Sequence, residues 1–298
     1  MLTRSRVTAA LFLLAVSSAP APLLAQRPAA PEILLRLDDV GMNHSVNSAI
    51  ARVAESGIPF SASVMFACPW YQEAVEILRK HPQVAVGVHL TLNSEWRNYR
   101  WGPVLGKAGV PTLVDSVGYF LPSTTEFLAR KYDIGDVERE LSAQMDRAMA
   151  SGLPISYVDY HMGTAVATPE LRAVVERLAK KYRVGISRYL GESYHTMFDT
   201  AIDEKKPAFL ALLGSADTTR ANLIVVHAAM RTPEMDVLFD RNNAAQNSAE
   251  GVPLVARHRQ SELEMLLSPE FAERVRSGKV RLITYQQLIA RAARVPAT

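Results

Sequence analysis

Six side chains able to bind a metal ion or move a proton fall where short β-branched runs end. Asp38 and Asp39 follow the run ILLRL at 33–37, and His89 closes VAVGVH at 84–89. Asp159 and His161 lie at the end of ISYVD at 155–159, and His227 closes NLIVVH at 222–227. If those runs are parallel strands, their carboxyl ends form one rim, the face at which parallel α/β folds bind ligands. Two imidazoles and a carboxylate from separate strands suit a three-ligand divalent metal site with positions left for water and substrate. Neighbours on a regular strand point to opposite faces. Asp38 and Asp39 therefore share the rim if the first strand ends at Leu37 and the chain turns toward Gly41. One aspartate would then hold metal while the other acts as a base. His44 could join them or serve at a helix start, and His81, His195 and His258, away from strand ends, read as surface residues.

The elements that must carry these residues alternate strictly. Strands are expected at 33–37, 61–66, 84–89, 155–159, 184–187, 222–227 and 280–284, several apolar at consecutive positions, as strands buried on both faces are. Helices are expected near 45–56, 70–80, 136–151, 169–181, 203–213, 257–267 and 285–293. Start signals include Ser45 before Val46, Thr168-Pro169, and Ser261 with Glu264 three residues on. Seven β/α units predict a distorted or incomplete (β/α) barrel of about seven parallel strands with crossover helices. No GxGxxG or P-loop follows the first strand, which leaves nucleotide binding without support. Two long connections break the rhythm: 91–135, holding Trp96, Tyr99, Trp101, Tyr119 and Phe120, and 228–256, rich in Asn, Ala and Met. Connections this long are usually functional or flexible.

Composition narrows the class. The 298 residues are 48% hydrophobic and 21% charged, which excludes a disordered chain, and Gly 15 with Pro 17 excludes a low-complexity one. Residues 1–25 carry Arg4 and Arg6, an apolar run from Val7 to Val16 and small residues at Ala19, Ala21 and Ala25. That order is expected of a secretory signal peptide, its apolar stretch being too short to span a bilayer. Cleavage after Ala25 takes two positive charges from a net +3 and leaves +1, so nothing marks a nucleic-acid partner. A single exported domain over 26–298 is expected, periplasmic or secreted, with no transmembrane segment in the mature chain. Cys68, the only cysteine, cannot form an internal disulfide.

Four stretches carry a resemblance: LRLDDVGMNHSVNSAI, VAVGVHLTLNSE, YVDYHMGTAVATPEL and IVVHAAM. Together with PTLVDSVGYFLPSTTEFL at 111–128, RHRQSELEML at 257–266 and RLITYQQL at 281–288, they resemble the YdjC-like carbohydrate deacetylases over most of 33–290. The resemblance implies a metal-dependent hydrolase that removes acetyl groups from acetylated oligosaccharides, using one divalent ion, Mg²⁺ or Zn²⁺. Asp39, His89 and His161 match the family's metal ligands, Asp38 its general base, and His227 a proton donor, here followed by Ala228 in place of proline. Where the family has further histidines, this chain has Tyr157, Met162, Gly163 and Thr164, so the groups around the substrate differ.

Asp159, Trp96 and Trp101 are the expected substrate contacts, the aromatics either stacking on sugar rings or packing their loop onto the barrel. Two other functions fit some of the same residues. A glycosidase could pair Asp38 with Asp159 as its two carboxyls, leaving the histidines without a task. An exported glycan-binding protein could keep the fold without catalysis, although binding sugar needs no base at Asp38.

Overall fold

The computed structural model describes residues 30–293; the leader expected at 1–25 lies outside them. Eight parallel strands form one curled sheet: β1 (Glu32–Val40), β2 (Ser61–Val64), β3 (Ala85–Leu90), β4 (Ile155–Tyr160), β5 (Gly185–Ile186), β6 (Ser193–Thr196), β7 (Asn222–Val226) and β8 (Arg281–Ile283). Their order is β5-β4-β3-β2-β1-β7-β6, with β8 paired to β1. Because β7 takes one edge of β1 from Ile33 to Leu37, β8 shares the other edge with β2, β8 beside Glu32–Leu34 and β2 beside Arg36–Val40. Among the described residues β5 and β6 end the order unpaired to each other, so the barrel is incomplete there, as expected.

Alternation along the strands sorts the chain into two cores. Ile33, Leu35 and Leu37 of β1, Ala62 and Val64 of β2, and Ile224 and Val226 of β7 join the large core. Their partners there include Val46, Ile50 and Val53 of helix His44–Glu55 and Leu171, Val174 and Leu178 of helix Pro169–Tyr182. Leu34, Tyr157, Leu223, Val225, Ile283 and Tyr285 make a second, smaller cluster on the inner side. Gly87 makes room for it: a Cβ there would meet the Tyr157 ring at 2.4 Å. Above this plug, β1 and its neighbours turn polar with the buried side chains of Arg36, Ser61, Ser63, Asp159 and Ser187.

The structure adds β6 and helix Pro269–Arg276 to the expected elements. The segment SYHT of β6 has no apolar run, and its strand state comes from pairing with β7. His195, read as a surface residue, lies half-buried on it, and His258 is likewise buried, on helix Val255–Leu266. Two helix starts also differ. Asn43, not Ser45, caps the first helix through Val46 N–H (2.9 Å), which leaves His44 exposed beside Glu73. Ser261 lies inside a helix that begins at Val255. Thr168-Pro169 caps as read.

Candidate functional site

A local distortion brings both aspartates to the rim. β1 does not end at Leu37; it runs to Val40, and its register against β2 shifts between Leu37 and Val40. Within that bulge Asp39 takes φ 61°, a left-handed conformation uncommon outside glycine. The shift redirects Asp39, which regular alternation would have sent into the outer core. The expected turn is thus replaced by a bulge with the same consequence.

Three atoms then converge. Asp39 Oδ1 lies 3.5 Å from His89 Nε2 and 3.3 Å from His161 Nδ1, and the two nitrogens are 3.4 Å apart. Donors about 2.0–2.1 Å from one ion at tetrahedral angles stand roughly 3.4 Å from one another, so the triangle has the size a zinc-like ion requires. Asp39 Oδ1 is buried without a hydrogen-bond partner, a costly state unless something else satisfies it. Each histidine offers its other nitrogen to a carboxylate: His89 Nδ1 to Asp159 (3.0 Å) and His161 Nε2 to Glu95 (2.9 Å). When the inner nitrogens give up their protons to an ion, those contacts would keep the remaining ring protons on the outer nitrogens, the arrangement that supports metal-binding imidazoles. The donor set fits a divalent ion.

Charges around the triangle are strongly coupled. Burial alone would raise the Asp39 carboxyl, but Arg259, whose Nη2 donates to Asp39 Oδ2 at 2.6 Å, and the two imidazoles hold it well below the usual range. Burial opposes charge on His161, yet Glu95 and Asp39 outweigh it and hold its pKa at about 9. Asp38 accepts from Arg36 Nε (2.7 Å) and Nη2 (2.6 Å), and Arg36 Nη1 donates to Ser187 Oγ (2.7 Å). Arg36 Nε also lies 2.9 Å from Asp159 Oδ2, so one guanidinium serves two carboxylates.

The triangle opens into a cavity of about 550 Å³ lined also by Asp38, Glu95, Trp96, His227 and Arg259. His227 stands at the end of β7 with Nδ1 unpartnered, its backbone N–H donating to Glu262 (2.6 Å), and burial pushes its pKa below the usual imidazole value. The two long connections clasp at the cavity: Trp96 bridges Asp240, and Arg97 N–H donates to Phe239 O at 3.1 Å.

Of the three expected substrate contacts, Trp96 lines the cavity and Asp159 and Trp101 do not. Asp159 is fully buried and spends its oxygens on His89, Ser63 (2.9 Å) and Arg36, outside the cavity wall. Trp101 is buried with its ring edge-on to His161, 6.0 Å between centroids. Trp96 does reach the cavity, but the Arg259 guanidinium lies over its ring at 5.3 Å, so what remains is its unpartnered indole N–H. Arg36, Glu95 and Arg259 were not singled out from the sequence. A charged residue inside an apolar strand was the available signal for Arg36, and for Glu95 and Arg259 it was their place in the stretches VAVGVHLTLNSE and RHRQSELEML that carry the resemblance.

The profile of the family described as YdjC-like protein matches residues 32–277. The chain belongs to this family. Relatives named carbohydrate deacetylase include one from Brevibacillus brevis, 25% identical over 86% of this chain and 99% of its own length. Another, from Geobacillus stearothermophilus, is 28% identical over 85% and 96%. Among solved structures, an Enterococcus faecalis protein whose name proposes cellobiose-phosphate cleavage superposes with a TM-score of 0.69 at 24% identity, covering 87% of this chain and 99% of that one. The YdjC-like chain thus shares its fold with that protein, the expected α/β incomplete barrel.

Proposed function

We propose that this YdjC-like protein is a divalent-metal-dependent carbohydrate deacetylase, a hydrolase that frees acetate from N-acetylated or O-acetylated sugars. The observation that carries the reading is the triangle of Asp39 Oδ1, His89 Nε2 and His161 Nδ1, with Asp39 Oδ1 buried and unpartnered at one corner. The relatives' names supply the substrate class. A divalent ion held by these three residues would supply Lewis-acid polarisation of the acetyl carbonyl and make a water more acidic. Asp38 takes the proton of the attacking water; each of its oxygens accepts a hydrogen bond from Arg36 and keeps a lone pair for that proton. Arg36 holds the carboxylate in one orientation, so no rotamer search precedes the transfer. His227, once protonated, donates to the departing amine or alcohol as the carbon–heteroatom bond breaks.

Metal analysis of the purified protein, with acetate release from acetylated glycans before and after chelation, tests the reading. We expect about one ion per chain, zinc rather than magnesium because two of three donors are imidazoles, and activity lost on chelation. Acetate release undiminished by chelation would overturn the metal dependence, chelator-resistant release of reducing sugar in place of acetate would favour a glycosidase, and glycan binding without either product a binding protein. We also propose export of a single domain spanning 26–298. N-terminal sequencing of the protein from its producing cell should begin near Gln26, and an intact Met1 would contradict this.

A further inference from the structure

His227 is held differently from the other two imidazoles of the rim. His89 and His161 each rest an outer ring nitrogen on a carboxylate, whereas Nδ1 of His227 is buried without a partner. What aims this ring therefore acts through its backbone and its walls. β7 pairs with β1 only as far as Val226, and the N–H of the next residue, His227, donates to Glu262 Oε2 at 2.6 Å. The Phe198 ring meets the imidazole edge-on, 5.1 Å between centroids.

Both restraints lead to one buried ammonium. Lys205, at the start of helix Lys205–Ser215, is fully buried, and its three protons have three acceptors. They are Glu262 Oε1 (2.6 Å) and the carbonyls of Met197 and Phe198, just after β6. Glu262, on helix Val255–Leu266, is buried too and divides its oxygens between Lys205 and His227. One ion pair thus fastens the ends of β6 and β7 and two helices around a single side chain.

Folding alone does not call for this device. The two carbonyls have other donors, Thr200 N–H for Met197 (3.1 Å) and Gln246 Nε2 for Phe198 (3.1 Å). Apolar side chains of similar volume often replace a buried ion pair without loss of stability, because desolvation offsets the attraction between the charges. What they cannot supply is a fixed acceptor for the His227 N–H. Lys205 holds the Glu262 carboxylate as Arg36 holds that of Asp38, one ion pair behind the base and one behind the proton donor.

We propose that Lys205 and Glu262 are positioning residues, an ion pair that fixes the backbone of His227 and so aims its imidazole at the leaving group. This rests on the deacetylase reading, in which His227 protonates the departing amine. Two double variants separate the acceptor from the charges. Lys205→Met/Glu262→Gln is neutral but keeps an amide oxygen for the His227 N–H, and Lys205→Met/Glu262→Leu removes it. Zinc-loaded proteins are assayed on diacetylchitobiose, whose amine leaves with a proton, and on para-nitrophenyl acetate, whose phenolate leaves without one. Misplacement by about an ångström costs up to about 10²-fold, so the leucine variant should lose roughly 10–100-fold of its amide-to-ester ratio of kcat/KM. The glutamine variant should recover most of that ratio. In a His227→Ala background the leucine pair should lower it no further. Equal losses on both substrates, or a ratio that falls again without His227, would make the pair structural only and overturn the proposal. Should the leucine variant not fold, Glu262→Asp keeps a carboxylate for Lys205 but draws it back from His227 by one methylene, and the same selective loss is expected.

NMR of protein carrying nitrogen-labelled histidine gives a readout without turnover. The His227 ring signals should shift in the leucine variant and return in the glutamine one, with those of exposed His44 unchanged. Unmoved His227 signals overturn the proposal as well. If wild type releases no acetate from either substrate the deacetylase reading falls, and the ring signals still decide whether Glu262 aims His227.

Discussion

At the scale of single residues, the rim separates groups that hold the proposed ion from groups that act beside it. Asp38→Asn removes a base but keeps an acceptor for Arg36. We expect metal content near wild type with acetate release down about 10²–10⁴-fold, measured by elemental analysis and turnover on one preparation. Wild-type turnover would remove Asp38 from the mechanism. Asp159→Asn separates the expected contact from the observed one. As a partner of His89 Nδ1, Asp159 should matter for metal affinity, by about 10–100-fold, with KM for glycan little changed at saturating metal. A raised KM with intact metal affinity would return Asp159 to the substrate. His227→Ala should cost far more on an amide than on an aryl acetate, whose phenolate leaves without a proton; equal losses on both would argue against a proton donor.

At the scale of elements, the site depends on one bulge and on one missing side chain. The bulge in β1 places Asp39 opposite His89 and His161, while Gly87 on β3 lets the Tyr157 ring close the barrel floor beneath Ser63 and Asp159. Gly87→Ala pushes a methyl group to 2.4 Å from that ring. Overpacking typically costs about 1–3 kcal/mol, so we expect a lowered denaturant midpoint, partly recovered by Tyr157→Leu in the same chain. An unchanged midpoint would mean the ring moves freely. The long connection 91–135, readable from sequence as an interruption, is packed rather than loose: Leu92, Val110, Leu113 and Phe120 belong to the large core, and Glu95 and Trp96 reach the cavity.

At the scale of the whole molecule, the proposed ion would compete with protons for the same nitrogens. In the metal-free protein His161 holds its proton up to about pH 9, against an ordinary imidazole value of 6.5. Its folded-state pKa is the higher one, so its contribution to stability is complete below about pH 6.5 and lost as pH rises to about 9. The loss is on the order of 3 kcal/mol. The proposed ion on Nδ1 would displace that proton, and its binding would add about 2.7 kcal/mol at a hundredfold excess over Kd. Urea midpoints should therefore fall between about pH 6 and pH 9 in chelator and hold or rise in zinc. Parallel pH curves in the two conditions would count against these ligands.

Strand ends, periodicity and motif were enough to read the α/β class, seven of the eight strands and the rim that gathers Asp38, Asp39, His89, His161 and His227. Those features are local: apolar runs bury on both faces, and whatever follows them sits at one end of a parallel sheet. What lay beyond reach depends on who meets whom. SYHT becomes a strand because β7 offers an edge. Asp159 turns from substrate contact to a partner of His89 because β3 and β4 pair His89 with Asp159 in register. Arg259 and Glu95 arrive at the triangle from chain 220 and 56 residues distant from Asp39, and no spacing rule links them. Nor does sequence alone show which cavity arginines are neutralised, since that follows from which carboxylates folding brings within reach.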